Sequence, residues 1–309
     1  MSELLQLTFW ATFLSAAVRT AIPILCASIG EDISEKAGII NVGLEAVMLV
    51  GAFFGFAAAY LTRSLFWGFV VGMLAGMLLS LLHAFLSVYL KQDQNVAGVA
   101  LNLLATGLTS YIFQLMVNRY GIPQIETLKS VPIPLLSKIP LIGDALFNKD
   151  IVVYFSYLLV VFLVFYYKKT IWGMSLCAVG ENPRAADAVG ISVYKNQYMA
   201  AAVNGLLGGL GGAYLLLGQL GIFFENITAG LAVVVFGRRN PIGILLAALF
   251  FGAAEAFQFR LQILGISLPI QVFTGLPYVL TALSLLLVAR SKRDGTPAAL
   301  GVAYDRMSR

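Results

Sequence analysis

The chain has 309 residues, of which 60% are hydrophobic and only 11% charged, with a mean hydropathy of +0.88 and a formal net charge of +5. So few charges could not cover a water-soluble globule, so the solvent of this protein is lipid. The excess of positive charge does not indicate nucleic acid, because Lys and Arg are scattered over loop ends and the tail, where membrane topology and anionic headgroups account for them.

About 20 apolar residues in a helix span a hydrocarbon core. Such segments are predicted at 5–29, 39–62, 65–90, 95–117, 151–168, 197–218, 226–236, 241–259 and 269–289, each bounded by charge, Pro or Gly. The fold class is therefore all-α: a single polytopic membrane domain over 1–309 with about nine transmembrane helices, some of them broken. The first window, Leu4 to Ile29, has no basic residue ahead of it and is too long for a cleaved signal, so it stays as a helix. Cys26 and Cys177 fall in different segments without metal-type spacing and read as packing residues.

Small residues recur at helical spacing in Gly51/Gly55, Gly68/Gly72/Gly76 and Gly208/Gly212. They let helix backbones approach closely where lipid supplies no hydrophobic drive for association. Tight packing is the main expectation; a helix that slides or pivots is the lesser one, prompted by the dense run Gly205 to Gly212. With the N-terminus outside and the segments alternating, thirteen Lys and Arg fall on the cytoplasmic side and six on the other, with Arg19 inside a helix. This agrees with the positive-inside bias. It puts Gly121 to Asp150 outside and the basic tail inside.

One polar interruption falls within residues 170–195. In the stretch CAVGENPRAADAVG, Cys177 to Gly190, Asn182 suits an N-cap and Pro183 a first helical position, while Arg184 to Val189 can form under two turns closed by Gly190. So short a helix cannot stand alone in water. An amphipathic helix lying at the headgroups is one reading. The mixed charges of Glu181, Arg184 and Asp187, in place of Lys and Arg over bulky apolar anchors, favour a soluble protein partner.

Charged side chains inside lipid are costly, so Arg19, Glu45, His83 and Glu255 each call for an account. Asn41 and Glu45 are four apart, hence on one face of a helix, and could both point into a central cavity. Equally, Glu45 could pair with Arg19 and lock two helices. His83 reads as a packed, hydrogen-bonded side chain, and Glu255 as sitting near the outer interface beside Arg260. Asn102 and Thr106, again four apart, make a second polar patch, and Phe53 and Phe54 offer rings for stacking. There is no GxxxxGK[ST], no nucleophile–base pair and no zinc-type cluster, so the chain is not its own ATPase and is read as a non-enzyme.

Four blocks carry a resemblance: CAVGENPRAADAVG; SEKAGIINVGLEAVMLVGA, Ser34 to Ala52; GRRNPIG, Gly237 to Gly243, with the helix that follows it to GAAEA, Gly252 to Ala256; and PAALGVAY, Pro297 to Tyr304. In order and spacing they resemble the ATP-binding-cassette importer permeases of the ribose/branched-chain amino-acid/nucleoside superfamily, and the tail narrows the likeness to the bacterial nucleoside branch. The resemblance implies a type II importer-like permease in the bacterial cytoplasmic membrane. It would pair with a second homologous permease, a heterodimer, and with a separate ABC ATPase, fed from outside by a substrate-binding lipoprotein. The ATPase would dock on Glu181, Asn182, Pro183, Arg184, Ala185, Ala186, Asp187, Ala188 and Gly190, and ATP and Mg would be used by that partner, this chain binding no cofactor. Candidate pathway residues are Asn41, Glu45, Phe53, Asn102 and Thr106. The expected cargo is a nucleoside, with a ribose-like sugar or a branched-chain amino acid as alternatives. The sequence departs from the family after Gly230, where several residues are missing and the segment 226–236 is left too short to span unaided. A different class, an ion-gradient-driven secondary transporter, would need buried acids as ion sites and an inverted repeat; no convincing repeat is found between the halves.

Overall fold

The structure, a computed structural model, describes residues 7–139, 143–224, 239–263, 275, 279 and 295–305. Nine α-helices run through the described residues: α1 (Leu7–Lys36), α2 (Leu44–Thr62), α3 (Leu65–Ala84), α4 (Gln94–Tyr120), α5 (Ile151–Lys169), α6 (Ile171–Glu181), α7 (Pro183–Ala188), α8 (Val193–Tyr214) and α9 (Pro241–Ile263). α3 and α8 each continue into a π-helical turn, at Phe85–Tyr89 and Leu215–Leu220. A two-stranded antiparallel pair, β1 (Val131–Pro132) with β2 (Asn148–Lys149), lies in the segment before α5.

Seven helices among the described residues are long and apolar enough to cross a membrane. They coincide with seven of the nine segments predicted from hydropathy. The other two, 226–236 and nearly all of 269–289, lie outside the described residues, as does the gap after Gly230.

Two boundaries differ from the sequence expectation. α1 does not stop at Ile29 but runs 30 residues to Lys36, about 45 Å at 1.5 Å per residue. The charged residues at its end look like an exit from the membrane, yet Glu31, Asp32 and Glu35 are each at most 5% exposed, because Asn204, Tyr167 and Arg239 from elsewhere in the chain supply partners. α2 starts only at Leu44, so Asn41 lies in the turn ahead of it and the expected shared helical face with Glu45 does not form.

α8 is the hub. It packs against α1, α2 and α3, and its glycines are the reason it can. A Cβ on Gly209 would meet the Gly72 carbonyl oxygen at 2.5 Å, one on Gly51 would meet the Gly209 Cα at 2.5 Å, and one on Gly76 would meet the Gly205 carbonyl oxygen at 2.5 Å. These are backbone-to-backbone contacts that no side chain could occupy, the close approach expected of small residues in lipid. α3, α4 and α5 instead expose large apolar side chains, among them Phe66, Trp67, Leu78, Leu103, Leu104, Leu158 and Val161. In a protein with this composition those are the faces that meet lipid or another membrane subunit.

The two ends of the bundle carry different coverings. At one end the segment between α4 and α5 lies over the end of α8, with Ile125 N–H donating to the Gly221 carbonyl (3.0 Å) and Leu128 N–H to the Leu217 carbonyl (2.9 Å). At the other end the tips of α1 and α6, the helix α7 and residues 295–305 meet.

Candidate functional site

α7 is built as the sequence spacing predicts. Pro183 opens it and the Asn182 side chain accepts from Ala185 N–H (3.0 Å), a cap that satisfies one of the donors a helix leaves unpaired at its start. It closes with Gly190 N–H donating to the Asp187 carbonyl (3.0 Å) and Ile191 N–H to the Ala186 carbonyl (3.0 Å), with Gly190 at φ +87°. That pair of bonds is the Schellman ending, and the left-handed φ is why glycine stands there. Glu181, Asn182, Arg184, Ala185, Ala188, Val189 and Gly190 are exposed, Pro183 and Asp187 are half-buried, and Ala186 alone of the α7 residues is buried.

Behind α7 lies a polar cluster that hydropathy gave no reason to expect. Glu31 accepts from Asn41 N–H at Oε1 (2.7 Å) and from the Asn204 amide at Oε2 (2.8 Å). Asp32 accepts from the Tyr167 hydroxyl (2.8 Å) and faces Lys36 at 3.8 Å. Glu35 pairs with the Arg239 guanidinium, and the Lys36 ammonium donates to the Arg239 carbonyl (2.8 Å). Seven side chains, from α1, α5, α8 and the turn ahead of α9, are thereby paired inside apolar surroundings, where each unpaired charge would be costly. The one sequence signal for this was three acids within five residues directly after an apolar run; their partners, up to 204 positions away, left none.

The candidate pathway residues fall in two places. Asn102 accepts from Ala46 N–H (2.8 Å) and donates to the Val42 carbonyl (3.3 Å), so it braces the start of α2, where Glu45 sits half-buried in the first turn. Thr106 donates to the Asn102 carbonyl one turn along α4 (2.9 Å). Asn41 is next to this group, 3% exposed, with both side-chain amide atoms unpartnered among the described residues. Phe53 is apart from them, fully buried in an aromatic cluster with Phe54 (ring centroids 5.3 Å) and Phe223 (5.1 Å), so the structure brings four of the five together and not the fifth.

Of the other intramembrane polar groups, Arg19 and His83 find local partners. Arg19 donates to the Gly218 carbonyl, and no ion pair joins it to Glu45 among the described residues. His83 is 1% exposed and bonded through Nε2 to the Gln94 carbonyl (3.2 Å), as a packed histidine would be. Arg260 lies over the Phe9 ring at 5.4 Å, and Glu255 is half-buried on α9. Outside the spanning helices, burial pushes the Cys177 thiol up, which leaves it a packing residue. Lys149 is 4% exposed with its ammonium on the Ser15 carbonyl (2.9 Å); burial first and then the nearby Arg19 charge bring its pKa down to about 8. Among the described residues no cluster of His, Cys, Asp and Glu could hold a metal ion.

The family described as branched-chain amino acid transport system, permease component, matches residues 13–289. The chain belongs to that permease family. It is 35% identical to the guanosine ABC transporter permease protein NupQ of Bacillus subtilis, over 99% of each chain. It is 37% identical to the nucleoside ABC transporter permease protein NupC of Lactococcus lactis, over 91% of this chain and 93% of that one, and 35% identical to a putative glucose ABC transporter permease protein, TsgC13, of Haloferax volcanii, over 97% and 99%. No solved structure gives a significant match. As a member of this permease family the chain is the multi-pass membrane subunit of an ABC importer, a class that implies a separate ATPase and usually a substrate-binding protein, and the match favours this reading over an ion-gradient-driven carrier.

Proposed function

We propose that this permease carries nucleosides into the cell, driven by an ATPase that docks on α7. The observation that carries the proposal is α7 itself: a six-residue helix capped at both ends, exposed on one face, at the end of the bundle where Lys36, Lys91 and Arg239 gather. That end is the cytoplasmic one in our reading, which puts the N-terminus outside and the tail inside, in keeping with the Lys and Arg count. The chain performs no catalysis and binds no cofactor; ATP and Mg belong to the partner ATPase. A second, homologous permease completes the pathway as a heterodimer, and a lipoprotein delivers the substrate.

Transport then follows a two-state scheme in which nucleotide binding to the ATPase biases the bundle between outward and inward forms. The polar groups around the start of α2, Asn41, Glu45, Asn102 and Thr106, are placed to hydrogen-bond a neutral, hydroxyl-rich solute, since among the described residues no ring of one sign lines that region to select an ion. Relatives whose names give nucleoside and guanosine favour a nucleoside; the one whose name gives glucose keeps a sugar as the alternative.

The test is co-purification with the ATPase and second permease of the same importer. Arg184→Glu with Asp187→Arg is expected to strip the ATPase while leaving the permease pair intact. Retention of the ATPase at wild-type level by the doubly changed chain would remove α7 from the coupling interface.

A further inference from the structure

Residues 295–305 do not trail away from the bundle. Thr296 accepts from the Arg239 guanidinium that pairs with Glu35. Ala298 N–H reaches the Glu181 carboxylate (3.4 Å), Ala299 N–H donates to the Gly180 carbonyl (3.0 Å), and Gly301 N–H donates to the Gly38 carbonyl (3.0 Å). Tyr304 is 7% exposed and shares a buried cluster with Val179 of α6, Ala186 of α7 and Val193 of α8, with Ile191 packed against it. The Tyr194 hydroxyl donates to the Tyr304 carbonyl (3.5 Å), and Asp305 pairs with Lys91 in the α3–α4 loop at 2.8 Å. Eleven residues of chain thus tie together the turn after α1, the end of α6, the inner side of α7, the start of α8 and the loop after α3.

A helix of six residues has no stability of its own, and the only side chain α7 buries is the single methyl of Ala186. A push on α7 would be absorbed by tilting it unless something large were packed on its inner side. In the cluster that holds Ala186 the largest side chain is the Tyr304 ring, and an aromatic of that size contributes most of the buried apolar area there.

We propose that residues 295–305 form a strap in which Tyr304 is a positioning residue, fixing α7 to the α1–α2 turn and the α3–α4 loop so that movement delivered to α7 reaches the transmembrane helices. This rests on reading α7 as the ATPase-coupling element. The Glu35–Arg239 pair then stands at the other end of the same chain of contacts, through Thr296.

The experiment uses the full complex in proteoliposomes and compares wild type, Tyr304→Ala, Tyr304→Phe and Lys91→Ala for ATPase retained, ATP hydrolysed and labelled guanosine moved. Tyr304→Ala is expected to keep the ATPase bound and hydrolysing while substrate moved per ATP falls about fivefold or more, the range of a typical coupling energy. Tyr304→Phe, which keeps the ring, is expected to restore the ratio, and Lys91→Ala, which frees the far end of the strap, to lower it. A wild-type ratio in both Tyr304→Ala and Lys91→Ala would overturn the proposal. So would a Tyr304→Ala chain that simply loses the ATPase together with Lys91→Ala showing a normal ratio. Failure of the α7 reading is separate: it shows as undisturbed docking after charge reversal at Arg184 and Asp187, whatever Tyr304 does.

Discussion

Asn204 has no exposed surface and gives its amide to Glu31, while Asn41 gives Glu31 its backbone N–H. Removing one partner of a buried, hydrogen-bonded carboxylate costs more than the bond itself contributes, because the remaining group stays desolvated. Asn204→Leu is therefore expected to destabilise the detergent-solubilised protein by roughly 2 kcal/mol, read as a lower unfolding temperature. Asn182→Ala removes a cap typically worth about 1 kcal/mol; faster hydrogen exchange confined to 183–190, with the rest of the chain unchanged, is the expected result. Lys149 gives a pH signature. Burial holds its pKa at about 8 against 10.5 for a free side chain, so between those values the unfolded chain binds more protons than the folded one and stability rises with pH. Below pH 8 the cost of the buried ammonium is fully present; the displacement corresponds to roughly 3 kcal/mol at most. Lys149→Met is expected to flatten the rise in unfolding temperature between pH 7.5 and 10, and an unchanged slope would show that other groups cause it. At this scale legibility was uneven. The Asn182 cap lies three residues from its partner and could be read directly, whereas the Glu31–Asn204 bond joins positions 173 apart and leaves no local pattern.

Among the elements, α8 and α4 make opposite uses of glycine. Gly209 faces the backbone of α3 so closely that even a methyl group has no room, whereas nothing lies within 4 Å of a Cβ built on Gly107 of α4. Gly209→Ala should cost on the order of 1–3 kcal/mol through overpacking, with loss of folded yield on size exclusion, while Gly107→Ala should be neutral or stabilising by up to about 1 kcal/mol from helix propensity. Equal behaviour of the two would contradict the packing given to α8. Hydropathy located seven spanning helices because lipid enforces apolar length on each one independently. It misplaced the end of α1 because charge reads as solvent exposure, and Glu31, Asp32 and Glu35 are charges kept inside protein by Tyr167, Asn204 and Arg239. It also placed the start of α2 early, since Ile39 and Ile40 continue the apolar run although the chain turns there.

In the whole molecule, the end that carries α7, the polar cluster and the strap is separated by the length of the bundle from the end covered by residues 125–128. Such a division suits a permease of this family, which must receive energy at one face and solute at the other. The start of α2 belongs to both arrangements: Asn41 is tied to the Glu31 cluster, and Asn102 and Glu45 stand beside it on the candidate pathway. The resemblance carried by four sequence blocks and the family match agree on the importer class, yet the ties from α7 to the turn after α1 and the loop after α3 became visible only with the tertiary contacts of residues 295–305. The most direct test of the account is uptake of labelled guanosine by proteoliposomes holding this chain with its second permease, ATPase and binding protein. We expect uptake that requires ATP, is unaffected by collapsing proton and sodium gradients, and is abolished by Arg184→Glu with Asp187→Arg. Uptake by this chain alone, without ATP and dependent on an ion gradient, would contradict it.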